Sequence, residues 1–269
     1  MPNQLLPCLL SLSLSIVGAG ICLAQSDNKL ENVPNEQVSN NQKQPLRILL
    51  VTGGCCHDYP RQAEILAKGM EGRLGEIDWT VVTYGKERVG DLKVYQDPDW
   101  AKGYDLIVHN ECYGGVKDPE IVRNLVEGHV RTGVPAVAIH CSMHSYRDAE
   151  NADLWRAFLG VTSRFHEKAK RSLTVVPRDR EHPVMQGFPK QWETPNGELY
   201  IILKRWPEMH VLATAYSTEQ QADQAVVWTN HYKGVKMFAT TLGHHNVTME
   251  SPEWLDMTAR GIQWALTKD

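Results

Sequence analysis

The segment Leu46–Thr52 (LRILLVT), followed by Gly53 and Gly54, decides the fold class of this chain. A short and nearly continuous apolar run that ends in glycine is typical of a strand buried on both faces of a parallel sheet. Pro60 then begins a segment whose apolar residues follow helical spacing, namely Ala63, Leu66, Ala67, Met70 and Leu74. A buried strand that leads directly into a helix predicts a β-α-β unit within an α/β fold.

The rest of the chain continues this alternation and then changes. Further strands are predicted at Trp79–Tyr84, Tyr104–His109 and Val134–His140, and helices at Pro119–Arg131 and Ala152–Leu159. Strand-like runs with short turns then follow at Leu173–Val176, Leu199–Leu203, Val211–Tyr216, Ala225–Trp228 and Val235–Thr241. An amphipathic helix over Pro252–Leu266 closes the pattern. These elements predict a mainly parallel sheet with an antiparallel extension.

The composition is that of an ordinary soluble globular protein. Of the 269 residues, 42% are hydrophobic and 22% are charged. The 28 basic and 32 acidic side chains leave a net charge of −4, whereas nucleic acids and acidic membranes attract basic surfaces. We therefore expect no nucleic-acid partner, and the length suffices for one large domain with a substantial core.

Residues 1–24 are predicted to be a secretory signal peptide. They carry no charged side chain, and the apolar stretch from Leu9 to Leu23 is followed by the small residue Ala24. An uncleaved anchor is the alternative, although the stretch is short for a bilayer span of roughly 20 residues. We expect export to the periplasm or the exterior, with no membrane span after cleavage. Residues 25–44, rich in Asn, Gln and Ser, predict a disordered linker, and residues 45–269 the folded domain.

Histidines are concentrated where the predicted strands end. In open α/β sheets, ligands bind beyond the carboxyl ends of the strands. The side chains at these ends are His57 and Asp58, His109 and Glu111, His140 and His144, and His244 and His245. The other histidines, His129, His182, His210 and His231, are expected to be structural. The pattern predicts a functional pocket at this edge of the sheet.

Imidazoles with a carboxylate suit either a divalent metal site or acid–base chemistry near neutral pH. The predicted metal ligands, with zinc favoured, are His57, His109, Glu111, His144 and His244. The predicted catalytic residues are His57, Glu111, His140, Cys141 and His244. The predicted substrate-binding residues are Asp58, Tyr59, Tyr113, Arg147, His166 from a Phe165-His166-Glu167 turn, and His245. The sequence contains no P-loop, and we expect no nucleotide cofactor.

Four cysteines follow the predicted signal peptide: Cys55, Cys56, Cys112 and Cys141. The adjacent Cys55 and Cys56 would form only a strained ring, so we expect these thiols to be free or paired elsewhere. Cys141 follows the fourth predicted strand, where a sharp turn can display a nucleophile, and His244 could complete a Cys-His pair. The alternative for Cys141 is a small, half-buried thiol without a catalytic role.

Several motifs together resemble the ThuA-like (trehalose utilisation) family over about residues 46–267. They are Thr52-Gly53-Gly54 with His57-Asp58-Tyr59, Ile139–Arg147 (IHCSMHSYR), Glu198-Leu199-Tyr200, Val227-Trp228-Thr229 and Thr240–His244 (TTLGH). The resemblance implies the flavodoxin-like, three-layer sandwich of class I glutamine amidotransferases. By that resemblance Cys141 falls near the amidotransferase nucleophile and His244 near its histidine. The chain lacks the Gly-x-Cys-x-Gly setting and the Glu after the histidine, which argues against glutaminase activity.

The resemblance also implies a role in using a carbohydrate, either a trehalose-like or an oxidised (keto) glycoside. The expected partner is therefore a small-molecule carbohydrate, and the expected activity is that of a hydrolase, lyase or isomerase. Two alternatives stay open. One is a non-catalytic sugar-binding module, and the other is an amidohydrolase-like enzyme that uses Cys141 and His244.

Overall fold

The computed structural model describes residues 44–268. The predicted signal peptide (1–24) and all but the last residue of the predicted linker (25–44) lie outside the described residues. Among the helices of the described part, none has the length and apolar character needed to cross a bilayer.

The described residues form eleven strands and five α-helices. In chain order they are β1 (Leu46–Gly54), α1 (Tyr59–Leu74), β2 (Ile77–Thr83), β3 (Leu106–Cys112), α2 (Pro119–Thr132), β4 (Ala136–Ile139), α3 (Asp153–Leu159), β5 (Val161–Lys170), β6 (Thr174–Pro177), β7 (Trp192–Glu193), β8 (Glu198–Arg205), β9 (His210–Ser217), β10 (Ala222–Tyr232), β11 (Val235–Thr240), α4 (Asn246–Met249) and α5 (Pro252–Leu266). Short 3-10 turns lie at Lys93–Gln96, His140–His144 and Pro183–Met185.

The main sheet has nine strands in the order β2-β1-β3-β4-β11-β10-β9-β6-β7. The pairs from β2 to β11 are parallel, and the pairs from β11 to β7 are antiparallel. Strands β5 and β8 form a separate antiparallel pair. The predicted α/β sandwich with a parallel sheet and an antiparallel extension is confirmed.

The helices cover both faces of the main sheet because its central strands are apolar on both faces. Seven consecutive residues of β1, beginning at Ile48, are buried. Helices α1 and α5 share one apolar core with one face of the sheet, while α2 and α3 share a second core with the other face. The result is a helix–sheet–helix sandwich whose parallel strands all end at one edge.

The sequence patterns missed part of the antiparallel region. The predicted Phe165-His166-Glu167 turn is wrong, because these residues lie inside β5. Most of β5 from Arg164 onward is exposed, so it lacks the apolar alternation that reveals a strand. The two-residue strand β7 and the single-turn helix α4 are too short to give a periodic signal.

Packing of α5 on the sheet leaves no room for a side chain at Gly261. A Cβ at that position would overlap the ring of Phe238 in β11. We predict that Gly261→Ala lowers the free energy of unfolding by about 1–3 kcal/mol through overpacking, as measured by urea denaturation. The matched control is Gly72→Ala in α1, where a Cβ meets no atom within 4 Å. That variant should gain up to about 1 kcal/mol from helix propensity, and equal effects of both changes would contradict the packing argument.

Candidate functional site

Four polar side chains converge where the parallel strands end. His57 follows β1, His140 follows β4, His244 follows β11, and Glu198 begins β8. His57 Nε2 lies 2.9 Å from His244 Nδ1, which lies 3.2 Å from His140 Nε2. Glu198 Oε2 lies 3.4 Å from His140 Nε2 and 3.3 Å from His244 Nδ1. We call these four residues the histidine cluster; one ligand atom from each lies within 4.8 Å of the others.

The backbone at the end of β4 turns sharply to present His140. Its φ of 45° lies in the left-handed region that a non-glycine residue seldom adopts. Such strain is concentrated at functional sites, where the surrounding structure holds it in place. A strained turn after a strand is the geometry that α/β hydrolases use to expose a nucleophile. In this chain that turn presents an imidazole rather than the sulfur of the neighbouring Cys141.

A buried amide relay holds the loop that carries His244. Asn110 of β3 donates from its Nδ2 to Gln62 Oε1 in α1, at 3.2 Å. Gln62 donates in turn from Nε2 to the carbonyl of Gly243, at 3.1 Å. Both amide side chains are buried, so the position of His244 is tied to the frame of β3 and α1.

The tautomer of His140 leaves a lone pair facing the cluster. Its Nδ1 lies 2.6 Å from the carbonyl of Thr241, which can only accept, so Nδ1 carries the proton. The Nε2 lone pair then faces the Glu198 carboxylate at 3.4 Å, an arrangement of two acceptors that a cation between them would stabilise. A ligand histidine whose second nitrogen donates to a carbonyl is the usual arrangement in metal sites.

The spacing of the cluster fits a tetrahedral metal site. With ligands at about 2.0–2.1 Å from the ion, neighbouring ligand atoms lie about 3.3 Å apart. Four of the six distances among the ligand atoms run from 2.9 to 3.4 Å, and all six lie within 4.8 Å. Three imidazoles and one carboxylate are ligands that zinc and other divalent transition metals accept. The donor set therefore fits a divalent ion.

Burial keeps His57 and His140 neutral, whereas the Glu198 carboxylate stays charged. Burial lowers the pKa of His57 to about 2, and the neighbouring His140 and His244 lower it further. Burial also lowers the pKa of His140, although Glu198 opposes this effect. Burial by itself would raise the pKa of Glu198, but the neighbouring His140 and His244 hold it well below its usual range. Neutral imidazoles and an ionised carboxylate are the states that bind a metal.

His144 lies beside the cluster but is not part of it. Its Nε2 is 3.0 Å from Ser163 Oγ, and the Ser163 hydroxyl donates to the carbonyl of Phe165 at 3.4 Å. Ser163 therefore accepts from His144 Nε2–H, which leaves a lone pair on Nδ1. The His144 ring stacks on Tyr200 with 4.0 Å between centroids, and burial lowers its pKa to about 3. His144 is thus a neutral base at the wall of the cavity.

The predicted ligands His109 and Glu111 point away from the cluster. Both side chains are fully buried, and His109 Nδ1 lies 3.2 Å from Glu111 Oε1. His109 Nε2 faces Nε2 of His129 at 3.0 Å, and His129 Nδ1 donates to the carbonyl of Val134 at 2.7 Å. Tyr146 donates to Glu111 Oε1 at 3.1 Å. These residues belong to a buried polar network in the core beneath α2 and α3.

The four cysteines form two disulfides next to the histidine cluster. Cys55 is bonded to Cys56, and Cys112 to Cys141. The expectation that Cys55 and Cys56 are free or paired elsewhere is therefore wrong. Cys55 Sγ and Cys112 Sγ lie 3.8 Å apart, so the two disulfides are in contact. Paired in this way, Cys141 has no thiol to act as a nucleophile.

The remaining predicted site residues lie in three different settings. Arg147 and His166 line a cavity of about 450 Å³ that also contains Cys141, His144, Glu198 and Tyr200. Asp58, Tyr59 and His245 line a second cavity of about 880 Å³ on the other side of His57 and His244. Tyr113 is fully buried and accepts from the backbone N–H of Tyr84 at 3.0 Å, so it supports the fold rather than the substrate.

Sequence reasoning missed Glu198 and Tyr200. Glu198 supplies the carboxylate of the cluster, and the Tyr200 hydroxyl lies 3.3 Å from His140 Nε2. Both residues lie at the start of β8, which is outside the parallel sheet to which the strand-end rule applies. The only available signal was the Glu198-Leu199-Tyr200 motif.

Comparisons with known proteins agree with this architecture. The profile of a family described as "ThuA: Trehalose utilisation" matches residues 47–265. A crystal structure of a putative ThuA-like protein from Parabacteroides merdae is similar, with a TM-score of 0.64 at 20% identity over 83% of this chain and 91% of that chain. A putative ThuA-like protein from Bacteroides uniformis has a TM-score of 0.64 at 16% identity, over 86% and 96% of the two chains.

A further solved structure is similar at a lower TM-score. A putative GMP synthase component from Thermoplasma acidophilum has a TM-score of 0.52 at 13% identity, over 82% of this chain and 94% of that chain. At these identities the solved structures establish the fold alone, and they confirm the predicted amidotransferase-like sandwich. A comparison with curated proteins gave no match.

Buried neutral histidines should make the metal-free protein sensitive to mild acid. Burial lowers the pKa of His129 from 6.5 to about 3, so the folded state binds fewer protons than the unfolded state between these values. Its contribution to stability is therefore complete above about pH 6.5 and decreases as the pH falls, by up to about 1.4 kcal/mol per pH unit. We predict a decreasing free energy of unfolding between about pH 7 and pH 5, measured by urea titration in a chelator.

The matched controls are two histidine variants. His129→Gln should flatten the slope of stability against pH, whereas His231→Gln should leave it unchanged because His231 is exposed. Stability independent of pH in the unmodified chain, or equal slopes in both variants, would contradict burial of a neutral His129.

Proposed function

This chain belongs to the ThuA (trehalose utilisation) family, and we propose that it is an exported, metal-dependent, carbohydrate-active enzyme. The observation that carries the proposal is the convergence of His57, His140, Glu198 and His244, whose ligand atoms all lie within 4.8 Å of one another, four of the pairs at 2.9–3.4 Å. These residues come from four separate elements, and the cluster opens into the cavity that holds Tyr200 and His144. We propose one divalent transition-metal ion per chain, with zinc as the first candidate.

The ion would act as a Lewis acid that polarises a carbonyl or hydroxyl oxygen of the substrate. Tyr200 can assist at the same position because its hydroxyl lies beside His140 Nε2. Burial raises the pKa of Tyr200 well above its usual value, so the hydroxyl keeps its proton and remains a hydrogen-bond donor. A donor and a cation on one oxygen stabilise the negative charge that develops there.

His144 supplies the base in this proposal. Its Nδ1 makes no hydrogen bond with the described residues, and His144 lines the same cavity as Tyr200 and Glu198. A neutral imidazole beside a polarised carbonyl can accept a proton from the adjacent carbon; because burial makes His144 a weak base, the bound cation would have to acidify that carbon. This chemistry favours a lyase or isomerase acting on a keto-glycoside over a simple hydrolase.

The alternative with Cys141 as nucleophile is not favoured, because Cys141 is bonded to Cys112. The two disulfides also support export, since disulfides persist in oxidising compartments. A non-catalytic sugar-binding module would use the same cavity, and turnover assays separate it from the enzyme.

The metal site is tested by elemental analysis of the mature chain purified without an affinity tag. We predict about one equivalent of a divalent transition metal in the unmodified protein, and loss of most of it in Glu198→Gln, because a neutral amide is a weak ligand. The matched control is Glu193→Gln on β7, an exposed position outside the cluster. Folded protein that binds no metal from a zinc, manganese or nickel solution would remove the metal from the mechanism.

The role of His144 is tested by kinetics on a keto-glycoside. We predict that His144→Gln lowers kcat by about 10²–10⁴-fold while the metal content is unchanged, because the base is lost and the ligands are kept. His231→Gln serves as the exposed control. Loss of metal in His144→Gln would instead make His144 a ligand, and an unchanged kcat would exclude it as the base.

A further inference from the structure

The cavity beside the histidine cluster is basic although the chain is acidic. The chain as a whole has a net charge of −4. Four cationic side chains line the cavity: Arg88, Arg147, Arg164 and Lys170. Glu198 is the only carboxylate among the described residues that line it. A concentration of one charge sign in a cleft raises the local concentration of ligands of the opposite sign.

Arg147 is held in this cavity without a carboxylate partner. The side chain is half-buried, and its Nη1 donates only to the carbonyl of Arg164, at 3.4 Å. Within residues 44–268 it makes no ion pair. A half-buried guanidinium in this position keeps most of its donors for a ligand. This geometry favours the sequence-based prediction that Arg147 contacts a polar group of the substrate.

The backbone around Arg147 leaves space for its guanidinium. At Gly114 a Cβ would lie 3.1 Å from Arg147 Nε and 2.9 Å from the carbonyl of His144. A side chain at this position would therefore displace the guanidinium or the segment that carries the proposed base. Gly114 itself lines the cavity, so the absence of a side chain keeps Arg147 beside the catalytic groups.

The other three cations are only partly neutralised. Arg88 Nη2 lies 3.7 Å from Asp148 Oδ2, and both side chains are substantially exposed. Arg164 is exposed and has no carboxylate partner in the described part of the chain. Lys170 Nζ lies 3.8 Å from Glu198 Oε1, the carboxylate that the proposed metal ion would share. With a divalent ion in the cluster, the positive charge of the cavity increases further.

We propose that this cavity selects a carbohydrate that carries an acidic group, a carboxylate or a phosphate, bound by Arg147 with Arg88 and Arg164 at the entrance. The inference rests on the proposed function, because it identifies the substrate class of the same site. Arginine binds both anions through paired, charge-assisted hydrogen bonds. Phe165, which is 45% exposed and lines the cavity, offers an apolar face to the sugar ring.

The test is calorimetric titration of the metal-loaded protein with glucuronate, glucose 6-phosphate and glucose. We expect at least one of the two anionic sugars to bind about ten- to hundredfold more tightly than glucose, in line with hydrogen bonds to a charged group. The difference in affinity between the anionic sugars and glucose should decrease in high salt, because the arginine side chains at the entrance are exposed to solvent. Preference for glucuronate assigns the site to carboxylates, and preference for the phosphate assigns it to phosphorylated sugars.

Two variants locate the effect. Arg147→Gln should abolish most of the anionic advantage while leaving metal content and glucose binding as they are. Arg205→Gln, an exposed arginine on β8 that does not line this cavity, is the matched control and should bind like the unmodified protein.

Each contrary result identifies what has failed. Equal affinity for anionic and neutral sugars overturns the anionic subsite and leaves the carbohydrate enzyme intact. An anionic advantage that survives Arg147→Gln overturns the role of Arg147. No binding of any of the three sugars by metal-loaded protein overturns the carbohydrate assignment itself, and with it this inference.

Discussion

Parallel pairing of apolar strands is the constraint on which the rest of this structure depends. Because β1, β3, β4 and β11 run in the same direction, their carboxyl ends meet at one edge of the sheet. His57, His140 and His244 follow three of these strands and are separated by as many as 187 residues in sequence. The apolar cores on both faces fix the strands, and the strands fix the distances between imidazoles. The proposed chemistry therefore rests on hydrophobic burial remote from any polar atom of the site.

The strand-end rule allowed the three clustered histidines to be singled out from sequence, because it needs only strand positions and direction. The rule did not show which face of the sheet the other side chains near the strand ends occupy. His109 and Glu111 share a face of β3 as their spacing predicts, yet that face is the one covered by α2 and α3, and both residues are enclosed. Glu198 lay beyond the rule because β8 joins the site by tertiary packing of a second sheet. Contacts of this kind between segments distant in sequence leave no local sequence pattern.

Two groups of buried histidines in this structure differ in what their ring nitrogens face. His109 and His129 pair with one another, and His129 also donates to a backbone carbonyl. Their ring nitrogens are therefore used for hydrogen bonds inside the core. His57, His140 and His244 direct three nitrogen atoms to a shared point and leave one carboxylate to balance them. What separates a structural histidine from a candidate ligand here is the direction of its free lone pair rather than its position in the sequence.

The two disulfides place the sulfur atoms of Cys55, Cys56 and Cys141 beside the imidazoles of His57 and His140, while Cys112 ends β3. Cys55 and Cys56 immediately precede His57, and Cys141 immediately follows His140. Folding in a reducing cytosol would leave these sulfurs as thiols, with Cys55, Cys56 and Cys112 close enough to chelate an ion themselves. Thiolates are soft ligands that favour copper(I) and zinc, so nascent chains would encounter the metal pool with a rival chelator beside the intended one. In the proposed exported enzyme, oxidation after translocation would remove that rival, so the order of secretion, disulfide formation and metallation would decide which set of ligands a metal ion meets.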